Sequence, residues 1–440
     1  MTNKKLYGEV ITPPDLVKKI FDLLPQHLYK NKNLKWLDPG AGTGNISSEL
    51  LDRLCNHLPI ENLERKLQQI IKMITIVEIN ENNISILKED FKNKAKIIHD
   101  DFLTLKGYEE SFDVICGNPP FNFNGDHKVP TASSEKNKRN DGKTIWIDFT
   151  KKAISMLKPD GYLLFILPSI WLKPDKSGMY RFLTQYKIHK MHCFNNTESN
   201  KMFNKEAQTP CCFFLLQKQP SDKEILLFDK DINKYIPYYL SRSTLPIPVF
   251  GSSVINTIYQ FTEKVGFLKV HKTNMPPKDA ELRLLKTKKH HYRNIHTCLL
   301  GNLKPHLSFR YTDKPCCFHD KPKLVLAHGM YGFPYLDKKG RYGISNRDKY
   351  VICDYTIDEM KIIRDFLSTK FALYLFESTR YRMKFLERYV FEFIPEVWKL
   401  PNFPTDITDK SIADYFGLTD LQREKIQKLH KKNYERVDEK

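Results

Sequence analysis

Four consecutive residues carry the clearest chemistry in this sequence: Asn118-Pro119-Pro120-Phe121. They follow the apolar run Phe112–Cys116 and a single glycine. Two prolines fix φ and remove two backbone donors, so the carbonyls around them stand as stiff acceptors. The Asn118 amide oxygen adds an acceptor next to the Pro119 carbonyl. An exocyclic NH₂ can give one hydrogen to each. The Phe121 ring offers a face on which a base can stack. The turn reads as a seat for a planar amine, where a structural reading would see only a bend after a strand.

Three further groups stand at the ends of other apolar runs. Asp38-Pro39-Gly40-Ala41-Gly42-Thr43-Gly44 is a glycine-rich turn. Gly40, Gly42 and Gly44 let the backbone approach a ligand and adopt positive φ. The turn lacks the Gly-Lys-Ser/Thr ending of a triphosphate loop. Glu78, in Val77-Glu78-Ile79-Asn80, can accept from both hydroxyls of a ribose. In His99-Asp100-Asp101-Phe102, a carboxylate can accept from an adenine amino group, and Phe102 offers an apolar ring beside it. Each acid alone could be a strand terminator or an N-cap. Three at successive run ends describe a pocket for an adenosine.

Elements must hold these residues together. Short β-rich runs recur at Leu34–Leu37, Met73–Val77, Lys96–Ile98, Phe112–Cys116, Gly161–Leu167 and Cys211–Leu216, with another at Ile188–Phe194. Between them, Ile46–Leu58 and Ile145–Leu157 carry apolar residues at three- and four-residue spacings, and Leu16–Leu24 reads as a helix opened by Pro14 and Asp15. This alternation predicts an α/β fold, an open doubly wound, Rossmann-like sheet over residues 1–220. Asn122–Lys143 is polar, without apolar periodicity, and is expected to be a long loop able to close over a substrate. From 221 to 400, aromatic, proline and basic residues mix without βα alternation or sheet patterning, which marks a second domain. Ile357–Phe366 and Thr369–Phe376 look helical there, and 401–440 reads as a charged helical tail.

Composition limits the partners. The 440 residues carry 71 Lys plus Arg against 52 Asp plus Glu, a net charge of +19. That favours a polyanionic partner, because Lys and Arg neutralise phosphates and release their counterions. With 41% hydrophobic and 12% aromatic residues, a wholly disordered chain is excluded. The longest strongly apolar stretch, Tyr162–Leu172, has 11 residues where a membrane span needs about 20. No apolar region follows Met1–Glu9, so no targeting peptide is expected. Nine cysteines without a C-x-x-C fit free thiols in a reducing compartment. Cys316, Cys317, His319 and His328, like His290, His291, His296 and Cys298, lack the spacing of a zinc knuckle, so no metal is expected. Arg283, Lys286, Lys288, Lys289 and Arg293 form a strongly basic run that flanks His290, His291 and Tyr292 and could contact phosphates or be a solvated face. Basic and aromatic residues mix further on, around Tyr331, Phe333, Tyr335, Lys338, Lys339, Arg341, Tyr342 and Arg347, which suits a nucleic-acid surface.

These motifs resemble those of S-adenosylmethionine-dependent amino-methyltransferases acting on DNA adenine at N6. The family's cofactor motif looks like Asp38–Gly44, its catalytic motif Asn118–Phe121, and its early motif Thr12-Pro13-Pro14-Asp15-Leu16-Val17. Leu157–Leu163 and Thr209–Phe214 are similar to its later segments. The order resembles the gamma arrangement of restriction–modification enzymes. The resemblance implies S-adenosylmethionine as cofactor, held by Thr12, Asp38, Gly40, Gly42, Gly44, Glu78, Asp101 or Asp100, Phe102 and Asn118. It implies Asn118, Pro119, Pro120 and Phe121 as catalytic residues, and double-stranded DNA as partner with the target adenine flipped out. No endonuclease motif accompanies it, so a cognate restriction enzyme would be a separate chain. An intracellular, non-membrane location is expected, and the oligomeric state stays open. An RNA adenine or a protein glutamine amide presents the same planar NH₂. A DNA-binding relic without activity is disfavoured by the intact Asn118–Phe121.

Overall fold

In the computed structural model, the described residues are 10–92, 94–122, 144–205, 209–301, 304–329, 334–382 and 385–429. The chain divides into two compact units, Met1–Phe228 with Tyr235–Ser243, and Asp229–Lys234 with Thr244–Lys440. The loop expected at 122–143 and the aromatics Tyr331 and Phe333 fall on residues outside the described ones, except for Asn122. Asn122 forms an antiparallel bridge with Thr144.

The first unit is built on the expected open, doubly wound α/β sheet. Its strands are β1 (Trp36–Asp38), β2 (Ile74–Glu78), β3 (Lys96–His99), β4 (Phe112–Gly117), β5 (Leu157–Pro168), β6 (Tyr186–Phe194), β7 (Cys211–Pro220), β8 (Glu224–Asp229) and β9 (Lys234–Tyr239). They lie in the order β3-β2-β1-β4-β5-β7-β6-β8-β9. β1 to β5 pair in parallel, and β7 runs antiparallel to β5 and β6. The sheet continues past Pro220, the expected domain boundary, through β8 and β9. In β8, Ile225, Leu227 and Asp229 are buried and the residues between them are half-buried.

The inner parallel strands β1, β2 and β4 are buried on both faces, which is why they read as continuous apolar runs. Trp36, Leu37, Ile76, Val114 and Ile115 are almost wholly inaccessible. The helix Asn45–His57 turns Ile46, Leu50 and Leu54 onto the sheet. Truncating either leucine to Ala would cost about 2–5 kcal/mol. That burial anchors the glycine turn immediately before the helix. The chain runs β1, β2, β3 outward on one side, then returns across to β4. The crevice beyond the ends of β1 and β4 is therefore the topological switch point, where such sheets bind ligands.

The second unit holds two four-stranded sheets, which corrects the expectation of a region without sheet patterning. The strands are β10 (His271–Lys272), β11 (Leu282–Arg283), β12 (Tyr292–Gly301), β13 (Lys304–Thr312), β14 (Lys323–Ala327), β15 (Tyr335–Asp337), β16 (Gly343–Ile344) and β17 (Lys349–Ile352). Their orders are β10-β17-β14-β15 and β11-β13-β12-β16. Ile295, Cys298, Val325, Ala327, Tyr335, Tyr342, Ile344 and Val351 share one core. Tyr335 and Tyr342, both candidates for a nucleic-acid surface, thus belong to the interior. Helices Ile357–Leu367 and Lys370–Ser378 follow. The charged tail forms the helices Asp409–Tyr415 and Asp420–Gln427, whose N-caps Thr408 and Thr419 each close a capping box. No helix among the described residues is long and apolar enough to cross a membrane.

Candidate active site

The strand registers align the predicted acids. Asp38 sits opposite Ile76, Leu37 opposite Ile115, and Glu78 opposite His99. The ends of β1, β2, β3 and β4 therefore form one edge. Asp38, Glu78, the segment Asp100–Phe102, and Gly117-Asn118 all stand along it.

Asp38 is fully buried. The Ser47 hydroxyl donates to its Oδ2 at 2.7 Å, and its Oδ1 is buried with no hydrogen-bond partner. Burial pushes this carboxyl up to about 7; the Ser47 hydrogen bond restrains the rise and the neighbouring Glu78 charge adds to it. Glu78 serves the glycine turn. The Gly42 amide donates to its Oε2 at 2.7 Å, and the amides of Ile79 and Asn80 donate to its Oε1 at 3.1 and 2.8 Å. One carboxylate thereby shapes both the turn after β1 and the turn after β2. Gly42 and Gly44 have φ of 56° and 91°, the left-handed region. At Gly44 a Cβ would stand 2.7 Å from Leu87 Cδ2, so only glycine fits there. At Gly40 a Cβ would meet only Phe149, at 3.6 Å.

The third acid has a local duty. Asp101 Oδ1 accepts from the Leu103 amide at 2.8 Å, and Asp100 Oδ1 accepts from the Asp101 amide at 2.7 Å. Phe102 is only 2% exposed and packs against Phe149, ring centres 5.0 Å apart. It backs the wall and presents no open ring. Ile79, which the motif reading passed over, is 47% exposed directly after Glu78. Its signal was an apolar side chain placed where a strand runs out into solvent.

The Pro-Pro turn is held from a distance. Asn118 Nδ2 donates to the Val10 carbonyl at 3.3 Å and to Thr12 Oγ1 at 3.1 Å. Among the described residues, Asn118 Oδ1 and the Pro119 carbonyl receive no hydrogen bond. Pro119 is buried and Pro120 half-buried. Phe121 is half-buried against the core of the first unit, so its ring is not free-standing. Thr12 is itself 5% exposed, and its carbonyl accepts from Asn45 Nδ2 at 2.8 Å. Val10, Asn45 and Ser47 were missed by motif reading; each acts only through a contact distant in sequence.

The edge therefore offers a buried acid, a glycine turn opening a helix, an acid on the second strand, and a rigid turn with two oxygens that no described residue pairs. Residues 16–203 match the family described as Eco57I restriction-modification methylase. The matched stretch contains every element just described except the Val10–Thr12 segment. The chain is also 28% identical over 249 residues to the modification methylase CviBIII of Paramecium bursaria Chlorella virus NC1A, covering 54% of this chain and 56% of that protein. It is 29% identical over 163 residues to the type II restriction enzyme and methyltransferase RM.Eco57I of Escherichia coli, covering 34% of this chain and 16% of that one. The chain thus spans only part of the curated relatives it matches. Among solved structures, a type I restriction-modification methyltransferase subunit from Streptococcus thermophilus is similar at 17% identity, with 52% of this chain and 50% of that one covered and a TM-score of 0.36. The strand order of the first unit is that of a Rossmann-like methyltransferase fold, and its sequence similarity runs to a restriction-modification methylase family over residues 16–203.

Proposed function

We propose that the chain is a DNA adenine-N6 methyltransferase that uses S-adenosylmethionine. The observation that carries this reading is the tethered Asn118 amide. Both of its donors are spent on Val10 and Thr12, which leaves Oδ1 as a fixed acceptor beside the Pro119 carbonyl. Two such acceptors suit the two hydrogens of a planar exocyclic amine.

The cofactor pocket fits on the same grounds. On this reading Glu78, whose oxygens also shape the two turns, would accept from ribose hydroxyls, and the exposed Ile79 would offer a face to the adenine. The buried, unpartnered Oδ1 of Asp38 favours a cationic neighbour. When bound, S-adenosylmethionine supplies an electrophilic sulfonium methyl group. Asn118 and Pro119 then do the protein's part. Accepting both N6 hydrogens makes the nitrogen more pyramidal and aims its lone pair at the methyl carbon. Methyl transfer to N6 would form the N–C bond as the C–S bond broke, its electron pair staying on sulfur. One N6 proton passes to solvent. Because N6 is buried in a duplex, the adenine must leave the stack to reach this turn.

DNA is favoured over an RNA adenine or a protein glutamine amide because two curated relatives are a modification methylase and a type II restriction enzyme and methyltransferase. A net charge of +19 agrees with a phosphate-bearing substrate. On this reading the second unit, beyond about residue 244, supplies target recognition. Methyl incorporation into defined duplexes, with mapping of the modified base, tests the proposal. Methyl groups on cytosine, on RNA only or on protein would replace it.

A further inference from the structure

Leu284 and Leu285 are the two most exposed large apolar residues described, at 68% and 77%. They lie between β11 and β12, the strands that flank β13 on either side. The base of this loop is pinned. Glu281 accepts from Lys289 Nζ at 2.9 Å and pairs with His290 Nε2 at 2.8 Å. The Thr287 amide donates to the His290 carbonyl at 3.1 Å, and the Thr287 hydroxyl meets His290 Nδ1 at 2.9 Å. His290 is buried, while every residue from Glu281 to Lys289 is exposed. Among the described residues Lys286 and Lys288 have no ion pair.

A firm base thus carries two adjacent leucines into solvent, followed in the chain by the exposed Lys286 and Lys288. Solvation alone would place polar residues at such a tip. We propose that the loop 282–289 is a wedge for duplex DNA. Leu284 and Leu285 enter between neighbouring base pairs, and Lys286 and Lys288 hold the adjoining phosphates. Proteins that kink DNA use apolar side chains in this way, flanked by cations. The inference rests on the DNA reading above and deepens it. A second copy of the chain is a poorer occupant, because two leucines fall far short of the ~800 Å² per partner that a stable interface buries. A lipid surface calls for an extended amphipathic helix, which this short loop is not.

The test uses the full chain, a duplex with 2-aminopurine stepped along each strand, and two double variants. Both change exposed side chains only. In the wild type, 2-aminopurine fluorescence should rise at one step besides the target adenine. Leu284→Ala with Leu285→Ala should abolish that rise and weaken duplex affinity roughly tenfold, with an unchanged salt slope. Lys286→Ala with Lys288→Ala should reduce the salt slope by about two and keep the rise at low salt. If the leucine variant retains both the fluorescence rise and the affinity, the wedge is wrong while the DNA reading stands. If the leucine variant alters only self-association or vesicle binding, the occupant is wrong. A wild-type chain that neither binds nor methylates duplex DNA overturns both.

Discussion

Asn118 Nδ2 donates to Thr12 Oγ1 across 3.1 Å, joining residues 106 positions apart. The same threonine accepts from Asn45 through its carbonyl, so one residue ties the early segment to both the glycine-turn helix and the Pro-Pro turn. Thr12 is read here as a positioning residue for the Asn118 amide as well as part of the cofactor pocket.

Thr12→Val keeps the side-chain shape and removes the acceptor. Asn118 is then held by Val10 alone, and its oxygen loses its fixed direction. Single-turnover methyl transfer should slow by about tenfold, the scale of one net hydrogen bond. The loss should persist with cofactor saturating, and Thr12→Ser should restore the rate. An unchanged rate in Thr12→Val would remove the tether from the account.

Asp38 makes stability depend on pH in a defined sense. Its folded pKa is about 7, above the ordinary 3.8, with burial as the main cause. The folded protein therefore keeps a proton that the unfolded chain releases. This contribution is fully present below pH 4 and is lost as pH rises to about 7. Asp38→Asn removes the effect. Relative to that variant, the wild type should lose stability on the order of 4 kcal/mol across this window. Denaturant titrations of both proteins at several pH values would measure it. Parallel curves would mean that Asp38 is ionised in the folded state.

Glu78 holds the turns on both sides of the crevice through three backbone amides. Glu78→Gln keeps the length but turns one acceptor into a donor facing an N–H. S-Adenosylmethionine affinity should fall by roughly 10- to 100-fold, as expected for a charge-assisted hydrogen bond. S-Adenosylhomocysteine should be affected alike, because the loss lies in the pocket and not at the sulfonium. Calorimetry with both ligands would show it.

The first unit was legible because its central parallel strands β1, β2 and β4 are buried on both faces and end in turn residues. Phe112–Gly117 reads as one apolar run into Gly-Asn-Pro-Pro, and the structure makes it β4. β12 and β13 were not legible. A register shift between Ile295 and Thr297 breaks the period-two pattern, and the buried Asn294 looks polar in sequence. At the site, the residue types of Asp38, Glu78 and Asn118 could be read from sequence, but their partners could not. The Phe102 ring was expected to face a ligand and is instead covered by Phe149. Such contacts depend on how the chain closes on itself, which local spacing does not record.

Gly44 tests the turn itself. It combines φ of +91° with a Cβ position 2.7 Å from Leu87 Cδ2 and 3.1 Å from Phe91 Cε2. Gly44→Ala should destabilise the fold by about 1–3 kcal/mol through backbone strain and overpacking. Thermal unfolding should show a lowered midpoint. A midpoint equal to that of the wild type would mean that the turn relaxes without cost.

The central claim is that Asn118 presents its amide oxygen to an adenine amine. Single-turnover methylation of duplex DNA, with the product base mapped and cofactor binding measured in parallel, tests it most directly. The wild type should yield N6-methyladenine. With S-adenosylmethionine saturating, Asn118→Ala should transfer at least ~10²-fold more slowly, the scale of one lost hydrogen bond to developing charge. Near-wild-type transfer by Asn118→Ala, or methyl groups found elsewhere than adenine N6, would contradict the account.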